Sequence, residues 1–265
     1  MIDLFEHFPK IDEEDAQNDY VYRDWLDSPD PPKKKCDRGL ALVDLDGTIR
    51  EPVSDNKFIN TPEDQRLILF VNQTLRRLNE EGYSIYGVSN QGGVKAGHKT
   101  RQDTVREMRI TLSLCPYINR IYYAIYDHEV WCVTRTLPFL DPLPIWLNTF
   151  SRYRITTGDM GEDPKYLLGG YRKSNPGMLR MAIADWCNKY KLLDHLIEPR
   201  IWIKEFYTYF DAYDVVTNEH FFSKYLPGKH IFMTGDRDED RVAALKAKVS
   251  FVDDKNFRKG LIPDK

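Results

Sequence analysis

From Gly39 onward the chain repeats one pattern: a short apolar run, a polar or charged residue where the run ends, and then a longer amphipathic stretch. Strand-length apolar runs alternating with helical stretches predict a parallel α/β sheet, because a parallel neighbour can be reached only through a crossover. The first run, within "GLALVDLDGTIREP", constrains the chain most. It reads as a strand over Leu40–Asp44 that brings two carboxylates, Asp44 and Asp46, to one point before Gly47 and Thr48 turn the chain. Two acids so placed need positive charge beside them.

The later segments follow the same rule. "TPEDQRLILFVNQTLRRLNEEG" predicts one long helix, with Thr61 as N-cap, Pro62 in the first helical position, Leu67, Val71, Leu75 and Leu78 at helical spacing, and Gly82 as its end. "SIYGVSN" predicts a strand ending at Ser89 and Asn90, a helix follows from about Thr100 to Cys115, and "RIYYAIY" is a third strand. Residues 127–171 combine a strand-like "EVWCVTR" with prolines and the glycine-rich "TTGDMGEDPKYLLGG", and are read as an elaboration over the site. "SNPGMLRMAIADWCNKY" predicts a helix with Asn175 as N-cap and Pro176 opening it. Residues 190–228 are aromatic-rich without periodicity and read as a second insertion; "HIFMTGD", "DEDRVAALKAK" and "VSFVD" then give strand, helix and strand.

The 265 residues, 42% apolar and 30% charged, suit one soluble domain over 39–265 behind an acidic arm and linker at 1–38. No apolar run approaches the ~20 residues of a membrane helix, and the first residues lack a secretory pattern, so a cytoplasmic protein is expected. Residues 1–30 carry a balance of −8, which leaves +5 on the rest of a chain whose total is −3, a mild pull toward phosphorylated ligands. Cys36, Cys115, Cys132 and Cys187 have no paired short spacing, which predicts buried thiols rather than a disulfide framework or zinc site.

Four places put polar groups at a strand's carboxyl end or a helix start: Asp44 with Asp46, Ser89 with Asn90, Arg172 with Lys173, and Asp236 with Asp240. Singly, each has an ordinary explanation as a turn, a cap, a solvated face or an acidic helix start. Together, in this order, they mark the edge of an open α/β sheet where ligands bind.

In that order the motifs resemble the haloacid dehalogenase superfamily of phosphatases: "DLDGT" its first, "VSN" its second, the lysine of "YRKSNPGM" its third and "GDRDED" its fourth. "SNQGGVKAGHKT" and "RKSNPGML" further resemble the subgroup of histidinol-phosphate phosphatases, heptose bisphosphate phosphatases and polynucleotide kinase 3'-phosphatase domains, although Ser174 stands where the subgroup usually has proline. The resemblance implies a Rossmann-like three-layer α/β/α sandwich with a mostly parallel sheet and a reduced cap. It implies that Asp44 is the nucleophile, that Asp46 is the acid/base, and that Mg²⁺ binds to Asp44, the backbone carbonyl of Asp46 and Asp236. It further implies that Lys173 neutralises Asp44 and the phosphate, that Ser89, Asn90 and Arg172 contact the phosphate, and that Asp240 positions Lys173 or metal-bound water. Gly47 would permit close backbone approach and Thr48 would order the loop. With only His128 and Cys132 after the third strand, the heptose branch's structural zinc is not expected.

The expected activity is magnesium-dependent hydrolysis of a phosphomonoester through an aspartyl phosphate. A small phosphorylated metabolite is the first substrate reading, a polynucleotide 3'-phosphate the alternative, and a non-catalytic phosphate-binding protein the third. Trp131, Trp146, Tyr153, Tyr166, Tyr171, Tyr207, Tyr209 and Tyr213 could stack bases, but are read first as core of the insertions.

Overall fold

A computed structural model describes residues 38–127, 129–134, 152–156, 170–189 and 229–262. The described elements, in chain order, are β1 (Gly39–Asp44), β2 (Arg50–Glu51), β3 (Arg66–Leu67), α1 (Val71–Glu80), β4 (Tyr83–Asn90), α2 (Gly92–Lys95), α3 (Arg101–Leu114), β5 (Arg120–Tyr126), β6 (Glu129–Thr134), β7 (Arg152–Thr156), α4 (Gly177–Lys189), β8 (His230–Gly235), α5 (Asp238–Ala247), β9 (Ser250–Asp253) and α6 (Asp254–Arg258). None of the described helices is long and apolar enough to cross a membrane.

A seven-stranded sheet runs in the order β7-β6-β5-β4-β1-β8-β9. Its neighbours from β5 through β9 pair in parallel, while β6 and β7 extend one edge antiparallel. β1 lies between β4 and β8 and is buried along its whole length, as the unbroken apolar run of a doubly covered strand requires. Successive side chains of a strand point to opposite faces. Leu40 and Leu42 therefore join a core with Tyr86, Met178, Trp186 and Ala244, while Ala41 and Val43 join Leu75, Ile85, Met108 and Phe257 on the other side. The two cores make the expected α/β/α layering. Cys115, Cys132 and Cys187 are buried and in no disulfide; Tyr171 belongs to the first of the two cores, while Trp131 is partly buried against the second.

Two predictions from sequence change. The long helix expected from Thr61 is present only as α1; Thr61–Asp64 is a turn, and Arg66–Leu67 pairs antiparallel with Arg50–Glu51. Tertiary hydrogen bonding overrides the local helical spacing here, because the buried Gln65 amide is bound to Pro62 and Glu107 carbonyls and to Arg50. Within 127–171, β6 and β7 extend the sheet edge antiparallel. α4 starts at Gly177, just after Pro176. The acidic arm, His128, residues 135–151 and 157–169, the insertion at 190–228, and with them Trp146, Tyr166, Tyr207, Tyr209 and Tyr213, lie outside the described residues.

Two polar contacts fix helices on this frame. Asp185 of α4 meets Arg120 of β5 at 2.7 Å and accepts from the Tyr122 hydroxyl, with both charges buried. Removing one partner of a buried pair strands the other charge. Asp185→Ala should therefore destabilise the protein by about 3–5 kcal/mol, read from its urea midpoint.

At the start of α3, Thr100 and Asp103 form a reciprocal capping box. The Thr100 hydroxyl and then its backbone N–H hold the Asp103 carboxyl below the usual range. A depressed carboxyl contributes stability above its unfolded value of about 3.9 and loses it as pH falls through the lower folded value. Asp103→Asn should thus cost about 0.3–1 kcal/mol near neutrality, and chemical denaturation at decreasing pH should show that difference vanishing toward strong acid.

Candidate active site

Asp44 ends β1 with Asp44 opposite Val88 in β4, so its carboxylate opens at the carboxyl edge of the sheet between the ends of β4 and β8. Leu45, fully buried, anchors the chain between the two aspartates. Gly47 then turns at φ 91°, and a Cβ there would lie 2.8 Å from the Asp236 carboxylate carbon, so only glycine fits both the conformation and the approach. Thr48 is fully buried and its hydroxyl donates to Asp44 Oδ2 at 3.0 Å.

Lys173 arrives from the loop before α4. Its ammonium contacts Asp44 Oδ1, lies 2.8 Å from Asp240 Oδ1 and donates to the Val88 carbonyl at 3.1 Å. Asp240, in the first turn of α5, also accepts from the Arg237 backbone N–H at 3.1 Å, which locks the carboxylate facing the lysine. Asn90 supports the same lysine: its amide donates to the Lys173 carbonyl at 2.7 Å and accepts from the Lys173 N–H at 2.9 Å. Arg172 turns toward β5, donating to the Ile125 carbonyl at 3.4 Å.

Asp46 points into a different set of partners. Its Oδ1 accepts from Arg50 Nε at 2.9 Å, and its Oδ2 accepts from the Ser89 hydroxyl and the Gln91 amide, each at 3.2 Å. Gln91 also donates to Ser89 at 2.8 Å. The two aspartates are therefore inequivalent: Asp44 faces a lysine and a hydroxyl, Asp46 an arginine and two neutral donors.

Electrostatics separates them further. Burial pushes the Asp44 carboxyl up to about 7, with Asp240 and Asp46 adding to the rise and Lys173 pulling against it. Burial also opposes the charge on Lys173, but Asp44 and Asp240 outweigh it and hold the ammonium well above its usual value. For Asp46 burial is outweighed by Arg50 and then Lys99, which keep the carboxyl below its usual range. Asp236 is raised by burial and by Asp240.

Carboxylate oxygens of Asp44, Asp236 and Asp240 lie within 4.8 Å of one another. Glu107 and Lys99 cancel as a pair, so Asp44, Asp46, Asp236 and Asp240 are left against the two buried cations Lys173 and Arg50. A divalent cation matches that deficit of two charges, and the donors are the hard oxygens that Mg²⁺ takes. Asp240 is already committed to Lys173 and the Arg237 N–H, whereas Asp236 has, among the described residues, no ion pair shorter than the 3.8 Å to Arg237.

The structure thus gathers Asp44, Asp46, Ser89, Asn90, Lys173, Asp236 and Asp240 at one edge, with Gly47 and Thr48 shaping the first loop and Arg172 alongside. Sequence reasoning missed Arg50, Gln91, Glu107 and Lys99. One signal was present: Glu107 falls on the interior stripe of α3 with Thr104, Met108 and Thr111, and a charge on a buried face needs a partner.

The polynucleotide kinase 3 phosphatase family model matches residues 39–197. Among solved structures, the D,D-heptose 1,7-bisphosphate phosphatase from B. bronchiseptica, in complex with magnesium and phosphate, is 16% identical at a TM-score of 0.40, over 80% of this chain and 78% of that one. A putative HAD-like phosphatase from Mesorhizobium loti is likewise 16% identical at a TM-score of 0.41, over 80% of this chain and 69% of that one. No curated protein matches. With the family's match extending over more than half of the chain, from β1 through α4, the protein belongs to the polynucleotide kinase 3 phosphatase family and is a phosphatase of the haloacid dehalogenase type.

Proposed function

We propose that the protein hydrolyses phosphomonoesters through a phosphorylated Asp44, using Mg²⁺, and that its substrate is the 3'-phosphate at a polynucleotide end. The observation that carries the chemistry is the Asp44 carboxylate, buried at a strand end between the Lys173 ammonium and the Thr48 hydroxyl. Attack by a carboxylate on a phosphate dianion is opposed by roughly 4 kcal/mol per pair of unit charges ~4 Å apart at an effective dielectric of ~20. Lys173, held protonated by Asp44 and Asp240, offsets part of that cost. Magnesium, held by Asp44, Asp236 and the Asp46 backbone carbonyl, would supply the remaining charge neutralisation.

In the first step, which Asp46 enters carrying the proton it takes up from water in the second, an Asp44 oxygen bonds to phosphorus, the bond to the leaving oxygen breaks, and Asp46 gives that oxygen its proton. In the second, water attacks the phosphorus of phospho-Asp44, its proton passes to Asp46, and phosphate leaves Asp44 as a carboxylate. Ser89, now donating to Asp46, has a hydroxyl that can turn to a phosphate oxygen. Arg172 and Asn90 complete the phosphate side in this reading. Because Asp46 carries a carboxylate able to exchange protons, ester hydrolysis suits the site better than a purely binding role.

The family match moves the polynucleotide end ahead of the small metabolite as substrate. Side chains of Asp46 and Asp236 are 33% and 27% exposed, which supports a site that admits a polymer end. A small phosphorylated metabolite is the second reading, favoured by a net charge of −3 that provides no global attraction to nucleic acid.

Asp44→Asn should lower turnover of p-nitrophenyl phosphate by at least about 10³-fold, and retained turnover would remove Asp44 as nucleophile. Asp46→Asn should still release one equivalent of p-nitrophenolate in a burst, with steady-state turnover slowed by about 10²–10⁴-fold; an unchanged steady state would exclude its proton role. Chelation should abolish phosphate release and Mg²⁺ should restore it. On a panel of sugar phosphates, nucleotides and 3'-phosphate oligonucleotides, the oligonucleotide should give the highest kcat/KM and lose it with rising salt. A salt-insensitive preference for a sugar or alcohol phosphate would decide for the metabolite.

A further inference from the structure

We propose that Arg50 is a positioning residue for Asp46, holding Oδ1 so that Oδ2 is presented to the reacting oxygen; this rests on the acid/base reading of Asp46 given above. Arg50 is fully buried four residues after Asp46, and its backbone closes the loop that carries the aspartate: the Gly47 N–H donates to the Arg50 carbonyl at 2.9 Å, and the Arg50 N–H to the Leu45 carbonyl at 3.0 Å. The guanidinium is gripped from behind. Nη1 donates to Gln65 Oε1 at 3.1 Å and to the Thr111 hydroxyl, and Nη2 to Glu107 Oε1. Lys99 takes the second oxygen of Glu107, so that both ends of that buried carboxylate are satisfied.

What remains of the fork points at Asp46: Nε and Nη2 both lie 2.9 Å from Oδ1. A planar guanidinium fixes an acceptor in direction as well as distance, which a lysine's single ammonium cannot do. Asp46 needs such a hold, since its side chain is one third exposed and its other partners, Ser89 and Gln91, are neutral donors at 3.2 Å. Arginine does not give up its proton, so Oδ1 serves only as an acceptor. Oδ2 is the oxygen left for exchange with the leaving oxygen and with water. The anchors on α3 thus reach Asp46 through the Arg50 guanidinium.

A staple that merely joins the first loop to α3 would have the same contacts, so the test must separate orientation from stability. Arg50→Lys keeps the buried charge beside Glu107 and loses the fork; Glu107→Gln keeps the fork and loosens its anchor. For both variants, with Mg²⁺, the first-turnover rate is measured on p-nitrophenyl phosphate, whose leaving group needs no proton, and on glycerol 2-phosphate, whose leaving group does. The expected result for Arg50→Lys is a drop of about 10²-fold on the alkyl ester with less than about threefold change on the aryl ester, and a smaller shift in the same sense for Glu107→Gln. KM should change little for either ester. Equal losses on both esters, in protein whose thermal melt remains cooperative, would overturn the positioning role and leave Arg50 a staple. A wild type inactive on both esters would instead overturn the reading on which the proposal rests.

Discussion

The Lys173 ammonium is the point on which the rest of the structure turns. It bonds at once to the end of β1 through Asp44, to β4 through the Val88 carbonyl and to α5 through Asp240, and its own backbone is clamped by Asn90. Taking an ammonium out of water is repaid only by good geometry and by full use of its donors. Here one lysine meets two carboxylates and a carbonyl, so the elements that bring those groups cannot shift without leaving a buried charge uncompensated. Two strand ends and the starts of two helices are thereby held in one relation.

Around this point the two aspartates take opposite characters from their surroundings. Asp44 sits deepest, where burial and neighbouring carboxylates raise its carboxyl against the pull of Lys173. Asp46 lies closer to solvent, yet Arg50 and Lys99 hold it low. One strand end thus supplies a group that a cation would stabilise as a carboxylate and another that is oriented by an arginine. The difference comes from two separate charge systems, one through Lys173 and Asp240, the other through Arg50, Glu107 and Lys99.

The layering was legible because burial leaves a pattern. Continuous apolar runs at β1, β4 and β5 mark strands covered on both faces, and the helix expected from about Thr100 is α3, Arg101–Leu114. The start of α1 was not legible: Leu67, Val71, Leu75 and Leu78 keep helical spacing, but Gln65, Arg66 and Ile68 find partners in the chain just after Asp46. Local spacing cannot reveal that a residue's hydrogen bonds will be taken by another segment. β6 was legible as the strand-like "EVWCVTR", whereas β7 was hidden for a related reason, since a strand added antiparallel at an edge need not carry the apolar run of a central one.

Asp44, Asp46, Ser89, Lys173, Asp236 and Asp240 could be named from the sequence, because each stands where an apolar run stops or a helix begins and the order of such places follows the order of the strands. Their partners could not. That Asn90 clamps the lysine's backbone, that Asp46 faces Arg50, and that Glu107 and Lys99 stand behind that arginine are facts of the assembled sheet and helices. The sequence by itself determined which residues reach the edge of the sheet, since strand and helix periodicities are local. Only the tertiary structure decided which charges meet there, because the pairing of buried charges depends on contacts between residues far apart in the chain.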